Sequence, residues 1–205
     1  MNEVFERIEK ERIIPVIKIS DLNKAVSLMK ALVDGGLNIA EITFRTKEAA
    51  SAIKCIREAF PHVLVGAGTV INPQMALQAK EAGAQFLVSP GFNPTTVRWA
   101  KENRLPLVPG VATATEIEMA LMDNFEVLKF FPAEIMGGVK TLKAFKGPFP
   151  DVKFIPTGGI TQENKDSYLA EKNVLAVGGT WMVKENLIQE SRWDEITYLT
   201  KASLS

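Results

Sequence analysis

The stretch VLKFFP, Val127 to Pro132, reads as a buried strand with one discordant residue, Lys129. An ammonium inside an apolar strand is costly unless it is neutral, paired or used in chemistry. Desolvation disfavours its charged form, and the free amine so obtained can attack a carbonyl carbon and form a Schiff base. The alternative is a lysine near a strand end that snorkels its amine to water. Seven further apolar stretches flank this one: IIPVIKI from Ile13, IAEITF from Ile39, VLVGAGTV from Val63, FLVSP from Phe86, LPLVPGV from Leu105, KFIPTGG from Lys153 and VLAVGG from Val174. Stretches of helical periodicity separate them. In Asp21 to Gly36, for example, Leu22, Ala25, Val26, Met29, Leu32 and Val33 recur at steps of three and four, and Gly35 and Gly36 close the end. The same pattern recurs in Lys47 to Phe60, Pro73 to Ala82, Thr95 to Asn103 and Thr115 to Met122. Asn72 before Pro73 and Asn93 before Pro94 set a capping side chain ahead of a proline suited to a first helical turn.

Eight β/α units at intervals of about 20 to 25 residues predict a closed, all-parallel TIM (β/α)8 barrel, because eight strands can close and remove both sheet edges. A doubly wound open sheet is the alternative. The chain has 205 residues, so the barrel must be compact. The absence of any linker or low-complexity break predicts a single domain over residues 1–205. The opening MNEVFERIEKER alternates charged with apolar residues and reads as an N-terminal amphipathic helix, not as a signal peptide.

Composition narrows the classes of function. Lys plus Arg equals Asp plus Glu at 24 each, which provides no overall field for nucleic acid or an anionic membrane. No apolar stretch reaches the length of a membrane span. A small-molecule substrate is therefore the expected partner. One cysteine, Cys55, cannot form an intrachain disulfide, which fits a reducing compartment and a cytoplasmic location. It falls within a helix and reads as packing.

In such a barrel, function gathers at the strand C-termini. Glu41, Arg45, Thr69, Ser89, Lys129, Thr157 and Thr180 all fall late in, or just after, predicted strands. Strand parity sets Glu41 and Thr43 on one face with Arg45 just beyond, and Lys129 on one face with Val127 and Phe131. Leu128 and Phe130 then face the helices. An acid, a guanidinium and an amine can thus meet inside the barrel. A taskless buried ion pair would be a poor stabiliser. Gly158 and Gly159 follow the seventh strand, and Gly178 and Gly179 the eighth. These are the loops where backbone N–H groups bind phosphate in this architecture, although each pair alone could be a tight turn. Carbonyl chemistry on a divalent cation is the rival to an imine-forming lysine. The only histidine, His62, precedes the third strand on the opposite face. No metal is predicted, though an all-carboxylate magnesium site stays open. A phosphate-binding isomerase or epimerase, or a non-catalytic sugar-phosphate binder, would keep the glycine loops without needing an imine-forming lysine.

EITFRT from Glu41, GAGTV from Gly66, SPGF from Ser89, PGVATATE from Pro109, LKFFPAE from Leu128, GGVKTLKAFKGPFP from Gly137, PTGGI from Pro156 and VGGTWM from Val177 together resemble the 2-dehydro-3-deoxy-6-phosphogluconate (KDPG) and 4-hydroxy-2-oxoglutarate (KHG) aldolase family, in order and through nearly the whole chain. The resemblance implies a class I aldolase without cofactor, normally homotrimeric, that releases pyruvate. It implies Lys129 as the Schiff-base lysine and Glu41 as the general acid/base. Arg45 and Thr69 would hold the substrate carboxylate, with Pro90 among the substrate contacts. Phe131 would shape the pocket wall, and Thr157 would influence substrate and stereochemical choice. Gly158, Gly159, Gly179 and Thr180 would take the phosphate. Two positions depart from the pattern. Thr180 stands where the family commonly has serine, and Lys18 stands where many relatives have arginine, which makes Lys18 an auxiliary anion contact at most.

Overall fold

The computed structural model describes residues 3–205, so Met1 and Asn2 of the predicted N-terminal helix lie outside the described residues; the helix runs Glu3–Glu11. Nine strand segments follow: β1 (Ile13–Ile17), β2 (Ile39–Thr43), β3 (Leu64–Gly68), β4 (Phe86–Val88), β5 (Leu107–Val108), β6 (Gly110–Val111), β7 (Val127–Phe130), β8 (Lys153–Pro156) and β9 (Val177–Gly179). One parallel ladder runs β5-β4-β3-β2-β1-β9 and a second runs β6-β7-β8. β5 and β6 are two halves of one stave, interrupted at Pro109, which has no N–H to give the ladder. The Pro109 carbonyl still accepts from the Lys129 N–H at 2.9 Å. The other seam closes through parallel bridges joining Phe154 to Val174 and Thr157 to Gly178. The result is the eight-stave, TIM-barrel-like ring that the β/α alternation predicts.

Helices pack on the outside, and their starts follow the capping chemistry. The Asn72 side chain accepts from the Met75 N–H, and that of Asn93 from the Thr95 N–H, each with proline opening the helix. The predicted Asp21 to Gly36 helix begins instead as a 3-10 turn, Leu22–Lys24, capped by Asp21, before the α-helix Ala25–Asp34. Thr113 and Glu116 form a reciprocal capping box ahead of Ala114–Met122.

Both faces of the strands are buried, as parallel sheets require. Outward residues such as Leu128, Phe130 and Phe154 join the large core between barrel and helices. Inward residues at the strand starts, among them Ile14, Ile39, Leu64, Phe86, Val127 and Ile155, form a second core with Ile8 of the N-terminal helix, which plugs that end.

One inward step further along the staves, the composition changes. By parity this layer holds Val16, Glu41, Gly66, Val88, Gly110, Lys129, Thr157 and Gly178. Large side chains give way to glycine at three of the eight positions. A Cβ on Gly66 would run into the Phe86 ring, one on Gly110 into the Pro90 backbone, and one on Gly178 would lie 2.5 Å from Thr157 Oγ1. The barrel is therefore filled at its N-terminal end and hollow at its C-terminal end. Ile8 is fully buried in the filled end, so Ile8→Ala should lower the unfolding free energy by about 2–5 kcal/mol. Equilibrium urea denaturation would measure this, and a loss below about 0.5 kcal/mol would show that the plug carries no stability.

Candidate active site

The hollow is a cavity of about 280 Å³. Its floor carries two opposed charges. Lys129 comes from the middle of β7, held between Gly110 of β6 and Ile155 of β8. Glu41 comes from β2, in register with Val16 and Gly66. Lys129 Nζ lies 3.6 Å from Glu41 Oε1, with side-chain exposures of 8% and 3%. That is an ion pair and too long for a hydrogen bond. Among the described residues Glu41 Oε1 has no hydrogen-bond partner, although it is buried. A buried, unpartnered carboxylate oxygen is unusual enough to require a reason. The ammonium also lies 5.2 Å from the centroid of the Phe131 ring, within cation–π range.

The walls rise toward solvent. Thr43 Oγ donates to the Ile17 carbonyl at 2.8 Å and accepts from Arg45 Nε at 3.1 Å, which fixes the root of the guanidinium at the exposed rim. Among the described residues no carboxylate pairs with Arg45. Thr69 follows β3 with φ 59°, a left-handed backbone that a β-branched residue rarely adopts and that turns it into the cavity mouth. Pro90, Phe131 and Thr157 complete the middle of the wall. Gly158 and Gly159 have φ of 98° and 81°, so only glycine adopts this turn without strain. Their N–H groups find no acceptor among the described residues, while their carbonyls accept from Glu134 N and Asn164 Nδ2. Gly179 and Thr180 close the ring.

Eleven of the twelve residues to which the family resemblance gives a role thus line one cavity. Lys18 does not: its ammonium is paired with Glu185 at 2.8 Å in a neighbouring hollow that shares Val16, Arg45 and Thr180. Ser89 also stays outside, its hydroxyl donating to the Gly91 carbonyl. Val16, Thr43 and Ile160 line the cavity although sequence reasoning did not single them out. Thr43 was legible as the same-face neighbour of Glu41, whereas Val16 and Ile160 carry no chemical signal. His62 is exposed, its backbone carbonyl accepting from Arg7 of the N-terminal helix, far from the cavity mouth. Among the described residues no three His, Cys, Asp or Glu side chains cluster as metal ligands, and no helix is long and apolar enough to cross a membrane.

A family model described as KDPG and KHG aldolase matches residues 4–199. The chain belongs to the KDPG and KHG aldolase family. A 2-dehydro-3-deoxy-phosphogluconate aldolase of Treponema pallidum (strain Nichols) is 46% identical over 204 residues, covering 100% of this chain and 97% of the relative. Among solved structures, the KDPG aldolase of Legionella pneumophila superposes with a TM-score of 0.96 at 40% identity, covering 98% of each chain; it holds pyruvate captured at low pH as a covalent carbinolamine intermediate. The Zymomonas mobilis KDPG aldolase, solved with 3-phosphoglycerate, gives 0.91 at 39% identity and covers 99% of this chain and 95% of its own.

In this aldolase the position of the Glu41 carboxylate depends on an absent side chain. A Cβ on Gly68 would run into Oε1, Cδ and Cγ of Glu41. Gly68→Ala should therefore displace the carboxylate and lower aldol cleavage by about 10²-fold with an unchanged far-ultraviolet spectrum. Wild-type turnover in that variant would mean that the observed place of Glu41 is not needed.

Proposed function

We propose that this class I aldolase, acting as one (β/α)8 domain, reversibly cleaves 2-dehydro-3-deoxy-6-phosphogluconate to pyruvate and glyceraldehyde 3-phosphate through an imine on Lys129. It also cleaves 4-hydroxy-2-oxoglutarate, to pyruvate and glyoxylate. One observation carries the assignment of roles: a lysine and a glutamate, both nine-tenths buried, face each other at 3.6 Å on the cavity floor, and the glutamate oxygen has no other partner.

Lys129 Nζ attacks the C2 carbonyl of the keto acid. A proton passes from nitrogen to the carbonyl oxygen to give a carbinolamine, and a proton delivered by Glu41 to its hydroxyl lets that group leave as water, which leaves a protonated imine. Glu41 is within reach, directly or through one water, of the protons moved in both steps. The carbinolamine seen in the Legionella pneumophila relative supports this first stage. The protonated imine is the electron sink. Glu41 takes the C4 hydroxyl proton, the C3–C4 bond breaks, and its electron pair runs to the imine nitrogen as an enamine while the aldehyde leaves. Protonation at C3 and hydrolysis then release pyruvate and restore the amine.

Arg45 and Thr69 grip the substrate carboxylate, the guanidinium offering a bidentate fork. Pro90, Phe131 and Thr157 confine the chain, with Thr157 beside the reacting carbons. The free N–H groups of Gly158 and Gly159, with Gly179 and Thr180, take the phosphate. The phosphorylated ligand in the Zymomonas mobilis relative supports a phosphate end of this kind. Lys18 can join it only by leaving Glu185. No cofactor or metal enters the scheme. A homotrimer in the cytoplasm is the setting proposed. Ile135 and Met122, at 84% and 85% exposure, offer apolar area for assembly, and Cys55 is a free thiol.

Two outcomes test the roles. Incubation with pyruvate and borohydride in the presence of a chelator should add a reduced pyruvyl group to Lys129, read by peptide mass spectrometry, and Lys129→Ala should abolish turnover. A folded wild-type protein without the adduct would overturn the imine route. Glu41→Gln should slow cleavage by about 10² to 10⁴-fold, and an unchanged kcat would remove Glu41 from proton transfer.

A further inference from the structure

The segment that leaves β7 and the turn that leaves β8 are built as one body. Ala133 N–H donates to the Thr157 carbonyl at 2.9 Å and Glu134 N–H to the Gly158 carbonyl at 3.1 Å. Side chains repeat the contact. A Cβ on Gly158 would lie 3.3 Å from the Phe131 ring and from Pro132 Cα. One on Gly159 would lie 2.5 Å from Cγ and 2.6 Å from Cβ of Glu134. The aliphatic stem of Glu134 is therefore the surface against which the Gly159 backbone rests.

Glu134 is itself exposed, and a free glutamate at the surface would sample several rotamers. Its carboxylate is tied down from beneath. Tyr168, fully buried in the helix Lys165–Leu169, donates its phenol to Glu134 Oε1. Burial first, and then the Glu134 carboxylate as acceptor and as charge, push the phenol pKa above its ordinary value, so the phenol keeps its proton and remains the donor at any working pH. A hydrogen bond to a charged acceptor is among the stronger kinds. Nothing in the proposed chemistry uses this pair, and neither residue lines the cavity.

We propose that Glu134, held by Tyr168, is a positioning residue that fixes the Gly158–Gly159 turn at a set distance from Lys129 and so tunes the enzyme for substrates whose phosphate lies that far from the imine. The connection is short. Lys129 ends two residues before Phe131, whose ring contacts Gly158, and Glu134 then braces Gly159. The imine nitrogen and the phosphate-binding N–H groups are thereby parts of one rigid bracket.

The inference rests on the aldolase reading above, and the test separates the two. Tyr168→Phe, Glu134→Ala and Glu134→Gln would be compared with wild type in KDPG cleavage and in the rate of pyruvate trapping on Lys129, which involves no phosphate. Pyruvate trapping by the wild-type protein tests the underlying reading alone. With that established, Tyr168→Phe and Glu134→Ala should raise KM for the phosphorylated substrate about ten-fold. Trapping should stay within about two-fold of wild type, and Glu134→Gln, which still offers an oxygen to the phenol, should lie closer to wild type than Glu134→Ala. Should Glu134→Ala fail to fold, Tyr168→Phe, which removes one oxygen, carries the test. An unchanged KM would overturn the proposal, and so would trapping that slows as much as cleavage, since a general loss of structure would do that.

Discussion

Everything at the mouth of this barrel depends on holding an ammonium and a carboxylate together where water is scarce. At 3.6 Å and an effective dielectric of about 20 the attraction of Lys129 and Glu41 is about 5 kcal/mol, while the effective desolvation penalty is several kcal/mol for each ion. The pair is close to neutral for stability. Removing either partner alone would strand a buried charge at a cost of about 3–5 kcal/mol. The arrangement is thus retained at little gain and considerable risk, which is the expected energetics of a working site and not of a core. It also dictates the glycines. Gly68 stands where any Cβ would strike Glu41, so the room needed by the carboxylate is obtained by omitting a side chain on the neighbouring stave, and Gly66 and Gly178 leave room in the same way for Phe86 and Thr157.

The same geometry imposes a gradient along the barrel axis. The floor is enclosed: Lys129, Glu41 and Thr157 are buried. The rim is open: Arg45, Gly159 and Thr180 are exposed. In the proposed mechanism the covalent chemistry falls at this buried end, where the amine and the carboxylate face each other. In the same proposal the phosphate lies at the exposed end, where a dianion does not have to shed all its water. A substrate that carries a ketone near one end and a phosphate at the other fits that gradient in one orientation only. Thr43 links the two regimes, its hydroxyl anchored on the β1 backbone and its oxygen holding Arg45 at the boundary.

Much of this was legible in the sequence because period-two patterning is strict in a barrel. Placing Lys129 and Phe131 on one face and Leu128 and Phe130 on the other needs only parity, and the structure divides them between cavity and outer core accordingly. The caps at Asn72 and Asn93 were legible because capping is local chemistry. What escaped was set by tertiary context. The Leu105 to Val111 stretch reads as one strand, yet Pro109 divides its ladder, so β5 serves β4 and β6 serves β7. Lys18 and Ser89 sit at strand ends like the true cavity residues, but a partner three-dimensionally adjacent claims each: Glu185 takes the lysine and the Gly91 carbonyl takes the serine. Glu134 and Tyr168 are 34 residues apart, and nothing in either segment signals that they meet.

Cavity size is no guide to the site in this molecule. A larger cavity, about 640 Å³, opens at the N-terminal end of the barrel between Phe5, Phe125 and the start of β5. Its two lysines are already partnered. Lys101 pairs with Asp123 at 2.8 Å, and Lys153 Nζ donates to the Lys172 carbonyl at 2.8 Å. Among the described residues the smaller cavity holds the opposite inventory: a carboxylate oxygen without a hydrogen-bond partner, a guanidinium without a carboxylate, and two glycine N–H groups without acceptors. Unsatisfied polarity in a buried or half-buried place costs free energy in the empty protein, and that cost is recovered only when a ligand of complementary charge arrives. The cavity whose polar groups are left incomplete is therefore the one that awaits a substrate.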